Sequence, residues 1–363
     1  PCSVDPPPTD RQPPKARYAS PPPLAPNALR LYRSGVPFTL TEKILARASG
    51  RASVSPGENV WVRADVLLTH DVCGPPTFGI FEREFGKDAR VWDPDRIAVI
   101  PDHYVFTEDP KARENIEVLA RFAARQKLPH YYAPGTARYQ GVCHCVLPAE
   151  GFVRPGEVIF GTDSHTCTHG AFGAFATGIG NTEAAFILGT GKLWLRVPET
   201  MRFIFRGRMP PYLMAKDLIL RILGDIGADG ANYAAMEFSG EAVESLSVDE
   251  QMTICNMAVE AGAKNGVVPP NPATLEYVRA RTKKPFAPLW PAPGSKAAST
   301  REYDAAQLVP VVARPHSPDA VVPARDLAGT AIDSVYIGSC TGGKTADFEA
   351  AARILKGRTV KVL

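Results

Sequence analysis

Histidines and carboxylates recur in three short clusters along this sequence: Thr69-His70-Asp71, Asp102-His103 and Gly161-Thr162-Asp163-Ser164-His165. Imidazole beside carboxylate is the pairing that general acid-base chemistry needs, because the carboxylate orients the ring and raises its pKa. Asp102 adjoins His103, and Asp163 stands two positions before His165; the sequence leaves the actual pairings open. A single histidine in such a place is as readily a structural residue bonded to nearby backbone. Repetition after three apolar runs weighs against that reading. Asp163-Ser164-His165 is not a serine-protease triad, since adjacent residues cannot converge in the required line of hydrogen bonds.

Further residue types with chemical capacity lie elsewhere. Ser247 and Glu250 have capping-box spacing for a helix that would carry Asn256 and Glu260, four residues apart, on one face. An amide and a carboxylate could serve a site there, although an exposed polar face is the simpler reading. Cys143-His144-Cys145 invites a zinc site, but on a strand the cysteines would point to one side and the histidine to the other. Cys73, Cys167 and Cys255 read as small buried or half-buried residues. Gly338-Ser339-Cys340-Thr341-Gly342-Gly343-Lys344-Thr345 matches the phosphate-binding pattern G-x-x-x-x-G-K-[ST]. A nucleotide-binding domain would need on the order of 100 further residues, whereas 18 follow Thr345. The same loop can instead present Cys340 at a helix start, where backbone N–H groups favour a thiolate ligand.

The elements that must position these groups read as α/β. Val66-Leu67-Leu68, Ile97 to Ile100 and Val158-Ile159-Phe160 are predicted buried strands, and each precedes one of the histidine clusters. In open α/β sheets, ligands bind beyond the carboxyl ends of the strands. Thr39 and Glu42 predict a capping box for a helix that stops at Gly50, and Asn115 to Ala124 predicts another, with Ile116, Leu119, Ala120 and Ala123 on one face. Leu218 to Ile226 is a third predicted helix, flanked by predicted strands at Met201 to Phe205 and Tyr233 to Phe238. Pro269 to Pro323 reads as an extended connection with one helix near Thr274 to Arg281. Ser334 to Ile337, Thr345 to Lys356 and Thr359 to Leu363 read as strand, helix and strand. A βαβ unit that ends on its second strand points to a chain truncated at its C-terminus.

Composition bounds the function. The 363 residues are 45% hydrophobic and 22% charged, with a net charge of +3 and dispersed Lys and Arg, so neither nucleic acid nor a membrane surface is an expected partner. No apolar run approaches the roughly 20 residues that span a bilayer, and no signal-peptide pattern opens the chain, so the cytoplasm is the expected compartment. Seven cysteines, an odd number, read as reduced thiols with chemical roles. The expected division is a Pro-rich disordered extension over 1–37, a first α/β domain over 38–198, a second with its connector over 199–326, and the start of a third over 327–363.

Five motifs in this order resemble the aconitase superfamily, most closely its branch of isopropylmalate dehydratase and homoaconitase-like large subunits. They are Leu67 through Pro76, Pro101-Asp102-His103, Gly161 through His169, Thr253-Ile254-Cys255-Asn256-Met257 with Glu260, and Gly338-Ser339-Cys340-Thr341. The resemblance implies aconitase-like three-layer α/β/α domains and hydro-lyase activity on a 2-hydroxy di- or tricarboxylic acid. It also implies a [4Fe-4S] cluster, with Cys340 as one ligand and two more expected in a Cys-x-x-Cys beyond this chain. A three-cysteine cluster leaves one iron free to act as a Lewis acid on substrate. By the same resemblance, Asp102 and His103 assist protonation of the leaving hydroxyl, while His144 with Asp163 and His165 with Glu260 hold water and substrate. His70 contacts substrate, and Ser164 and Asn256 support the site. The family's carbon-acid base is a serine on a swivelling domain, which nothing here resembles, so a separate small subunit is an expected partner.

Overall fold

The computed structural model describes residues 37–359. The expected Pro-rich extension and the strand expected to reach Leu363 therefore fall wholly or mostly outside the described residues.

In chain order the strands are β1 (Asn59–Arg63), β2 (Val66–Thr69), β3 (Ile97–Val99), β4 (Val158–Gly161), β5 (Phe175–Gly178), β6 (Lys192–Arg196), β7 (Thr200–Arg206), β8 (Ala235–Ser239), β9 (Asn265–Val267), β10 (Ser299–Asp304), β11 (Val311–Ala313) and β12 (Val321–Pro323). Two four-stranded parallel sheets organise the molecule, ordered β3-β2-β4-β5 and β10-β7-β8-β9. Two antiparallel pairs, β1-β6 and β11-β12, accompany them. The first sheet lies within 38–198 and the second within 199–326.

Buried parallel strands need apolar side chains on both faces, and β2, β3 and β4 are buried at every position. Period-two alternation then distributes them between two cores. Val66, Leu68 and Ile159 join a cluster with Phe203, Phe205 and Met236 of the second sheet. Leu67, Val158 and Phe160 join another with Leu40, Ile44 and Phe122. The first helix, Leu40–Ser49, has the predicted capping box of Thr39 with Glu42 and stops at Gly50, whose φ of 68° suits glycine.

Four expectations need correction. Cys143-His144-Cys145 opens the helix Cys143–Ala149 rather than lying on a strand, so its histidine and cysteines are not forced to opposite sides of a sheet. The stretch after Pro269 is more than a connection, because β10 pairs in parallel with β7 and extends the second sheet. Ser334 to Ile337 forms no strand; its apolar residues Val335, Tyr336 and Ile337 are exposed. The predicted strand at Tyr233 starts at Ala235 instead, because Tyr233 takes a left-handed backbone with φ 60°.

Candidate active site

The carboxyl ends of β2, β3 and β4 lie side by side because these strands are parallel neighbours, so the loops that follow them meet. Thr69 and Thr162, at the ends of β2 and β4, join through their hydroxyls at 3.1 Å. Beyond them, Asp71 is fully buried, and its carboxylate accepts the backbone N–H groups of Asp102, His103 and Tyr104 at 2.9, 3.0 and 2.7 Å. One side chain of the first loop thus shapes the second.

Asp163 occupies the centre. Its Oδ1 lies 2.8 Å from His144 Nε2 and accepts the His165 backbone N–H at 2.7 Å, while Oδ2 lies 3.3 Å from His103 Nε2. Burial by itself would raise this carboxyl's pKa, but the hydrogen bonds from His103 and His144 prevail and hold it far below the usual carboxylate range. Asp102 shows the same contest: burial opposes its ionisation, and the bonds from His103 and from the Cys143 backbone N–H, at 2.6 Å, keep its pKa lowered.

His103 lies between these carboxylates, with Nδ1 2.7 Å from Asp102 Oδ1. The Asp102 hydrogen bond, helped by that of Asp163, pushes its pKa up to about 10, so the ring is an imidazolium at neutral pH. His70 stacks on it, with centroids 4.1 Å apart, and goes the other way: burial, with the nearby His103 charge, lowers its pKa. His165 bonds Glu260 Oε1 at 3.1 Å and Ser164 Oγ at 3.1 Å, and the Glu260 bond raises its pKa. The exposed-face reading of Asn256 and Glu260 is overturned. The helix Val248–Asn256 ends at Asn256, which is fully buried, and Glu260 lies in a separate 3₁₀ turn.

Asn256 links the imidazole cluster to the cysteine loop. Its Nδ2 donates to Thr168 Oγ1 at 2.8 Å and lies 3.4 Å from Cys340 Sγ. Lys344, the lysine of the phosphate-binding pattern, is buried and turned inward: its ammonium donates to the Thr341 carbonyl at 2.6 Å and pairs with Asp347 at 3.4 Å. A lysine committed in this way is not presented to a phosphate.

Every site residue singled out in the sequence therefore belongs to one connected set. Asp71 and His169 gained no role from the sequence: only the fold shows Asp71 capping three N–H groups and His169 packed against His144. A groove of about 520 Å³ runs from Thr162 and Ser164 past Gly178 to Tyr233 and Lys264; of the candidate site residues only Ser164 lines it, so it lies beside the imidazole-carboxylate set and not within it. Several buried polar atoms around the set have no partner among the described residues: His70 Nε2, Asn256 Oδ1 and Glu260 Oε2. Orphans of this kind mark positions where a ligand can complete the hydrogen bonding.

Two metal arrangements can be weighed on their donors. His70, Asp71, Asp102 and His103 place ligand atoms within 4.8 Å of one another. Asp71 is saturated by backbone N–H groups, and His103 is bonded on both nitrogens, so this is a hydrogen-bonded lattice rather than a metal cage. For an iron-sulfur cluster, Cys340 supplies one thiol beside the orphaned atoms, but among the described residues it belongs to no group of three close ligands. Clusters take several thiolates. The donors present thus fit one position of such a group.

The chain spans 90% of its own length in a match to the chloroplastic 3-isopropylmalate dehydratase large subunit of Arabidopsis thaliana, at 56% identity, covering 66% of that protein. A probable 3-isopropylmalate dehydratase large subunit of Methanothermobacter thermautotrophicus is 49% identical over 89% of the chain and 76% of its own length. A probable methanogen homoaconitase large subunit of the same organism is 46% identical, with 90% and 76% covered. The chain thus spans about two thirds to three quarters of these relatives. The aconitase family (aconitate hydratase) matches residues 42–329. With that match over most of its length, and with relatives this similar, the chain belongs to the aconitase family.

Proposed function

We propose that this chain is the major part of a hydro-lyase large subunit that interconverts 2- and 3-isopropylmalate through isopropylmaleate. Its similarity to proteins named as 3-isopropylmalate dehydratase large subunits supports the substrate. The observation that carries the chemistry is the imidazolium of His103 held between Asp102 and Asp163, beside buried polar atoms that have no partner.

Removal of water requires a proton for the departing hydroxyl. His103 holds one, with Asp102 behind it, on the nitrogen facing Asp163. His144, fixed by Asp163, and His165, fixed by Glu260, position water and substrate; His70 Nε2 and Asn256 Oδ1 offer further hydrogen bonds to a carboxylate-bearing ligand and its surroundings. Ser164 orients His165 through its hydroxyl. Residues 38–198 supply most of these groups as one domain, and 199–326 supply Asn256 and Glu260. Aconitase-family enzymes generally use a [4Fe-4S] cluster, which when bound supplies a Lewis acid for the hydroxyl and a carboxylate. Cys340 would hold it as one of its thiolate ligands. The relatives' designation as large subunits supports a separate small subunit as partner, and that subunit would supply the proton-abstracting group.

The test is to express the full-length protein with a small subunit, reconstitute iron and sulfide without oxygen, and follow hydration of isopropylmaleate. Activity lost in Cys340→Ser and lowered about 100-fold in His103→Gln is expected. Hydration of the homoaconitate substrate instead would make homoaconitase the better reading. No hydration of either would overturn the hydro-lyase assignment.

A further inference from the structure

His144 pairs on its inner side with a deeper histidine, His169, to which the roles above assign nothing. Both are buried, with 2% and 0% of their surfaces exposed, and their rings lie 5.3 Å apart. His144 Nδ1 lies 3.4 Å from His169 Nε2, while His144 Nε2 faces Asp163 at 2.8 Å. The remaining ring nitrogen, His169 Nδ1, is buried and has no partner among the described residues.

These contacts restrict where the protons sit. An ionised Asp163 accepts only, so His144 must carry its proton on Nε2. A neutral His144 then has a lone pair on Nδ1, and the ring atom facing it must donate. His169 supplies that donor if its proton is on Nε2, which leaves a lone pair rather than an N–H on the unpartnered Nδ1. Buried N–H groups without an acceptor are the rarer and costlier defect. Burial also disfavours a charged His169. The opposite arrangement needs an imidazolium at His144 and leaves an unpaired N–H on His169.

The fold holds His169 in place for this. It lies in the 3₁₀ segment Ser164–Phe172, and the following Gly170 packs so closely on β9 that an added Cβ would fall 1.7 Å from the Gly266 carbonyl oxygen. The Gly170 carbonyl also accepts the Val268 N–H at 3.1 Å. Little freedom remains for the ring to move away.

We infer that His169 is a positioning residue: as a neutral Nε2–H donor it caps His144 Nδ1 and so fixes the tautomer and ring orientation with which His144 meets Asp163 and the substrate. The link to substrate rests on the proposed function; the tautomer assignment does not. Orienting partners of this sort typically carry about 10- to 100-fold in activity.

The deciding measurement is long-range ¹H-¹⁵N correlation on the histidine-labelled chain at neutral pH, with single His→Gln variants for assignment. Both rings are expected as neutral Nε2–H tautomers. In His169→Phe, His144 Nδ1 is expected to shift toward the value of an unbonded ring nitrogen, with Nε2 little changed. His169→Gln, whose amide can donate from the same place, should restore the wild-type position. In the assembled, reconstituted enzyme, His169→Phe should lower kcat about tenfold with KM within about twofold, and His169→Gln should recover most of it. Protons on both nitrogens of His144, or a His144 Nδ1 signal indifferent to His169→Phe, would overturn the assignment. The expected signals in a protein that hydrates neither substrate would uphold the pair and reject the proposed reaction.

Discussion

The imidazole-carboxylate wall and the Gly338–Lys344 loop border the same site and are held in opposite ways. Asp71 caps three backbone N–H groups, and Asp163 binds two imidazoles and a further N–H. The cysteine loop rests on one helix, Val248–Asn256, through Thr253 Oγ1 to the Thr341 carbonyl at 3.0 Å, Asn256 to Cys340, and Ala346 N to Asp249 at 3.4 Å. Before it, Val335 and Tyr336 are exposed. The wall is preorganised by its own residues, whereas the loop's hydrogen bonds to other elements run to that single helix. Under the proposed function this difference is useful: acid-base groups would be fixed before substrate arrives, and Cys340 would gain its remaining order from the group it binds.

That contrast can be broken most severely at Asp71. Asp71→Ala leaves three N–H groups without their acceptor and is expected to destabilise the chain by about 3 kcal/mol or more. A urea midpoint close to wild type would mean that the loop after β3 holds itself.

Asn256→Ala tests the link between the two regions. Loss of its bond to Thr168 is expected to cost about 1–2 kcal/mol, and Cys340, whose thiolate the Asn256 amide favours, should be alkylated more slowly once that amide is gone. Unchanged alkylation, read by peptide mass spectrometry, would show the loop to be independent of Asn256.

A pH-dependent effect should come from His103. Its folded pKa, about 10, exceeds the ordinary 6.5, so its contribution is complete below pH 6.5 and is lost as the pH rises through about 10. With 38% of the side chain exposed, solvent screening keeps that contribution modest. The stability gap between wild type and His103→Gln should narrow between about pH 6 and about pH 11; a gap constant across that range would contradict the ion-pair lattice.

The smallest effect belongs to Cys340→Ser. Denaturation of the chain itself should change by less than about 0.5 kcal/mol, because the thiol contributes little to packing. A larger loss would show that the cysteine loop is anchored more firmly than its contacts indicate.

Much of this was legible locally. The apolar runs of β2, β3 and β4, the capping boxes at Thr39 and Ser247, and the glycine stop at Gly50 depend on neighbours a few residues away, and they appear where the pattern places them. So do the histidine clusters, since residues after parallel strands emerge at one end of the sheet. What the sequence could not decide is which carboxylate serves which imidazole. Asp163 reaches His103 and His144 only because β2, β3 and β4 align and Cys143-His144-Cys145 turns into a helix. The burial of Asn256 and His169 was likewise not legible, because it follows from packing of the 3₁₀ segment Ser164–Phe172 against the helix Val248–Asn256. Residue types and spacings determine short-range elements and the inventory of functional groups; hydrogen-bond partners, burial and protonation depend on distances between segments far apart in sequence, which only tertiary packing sets.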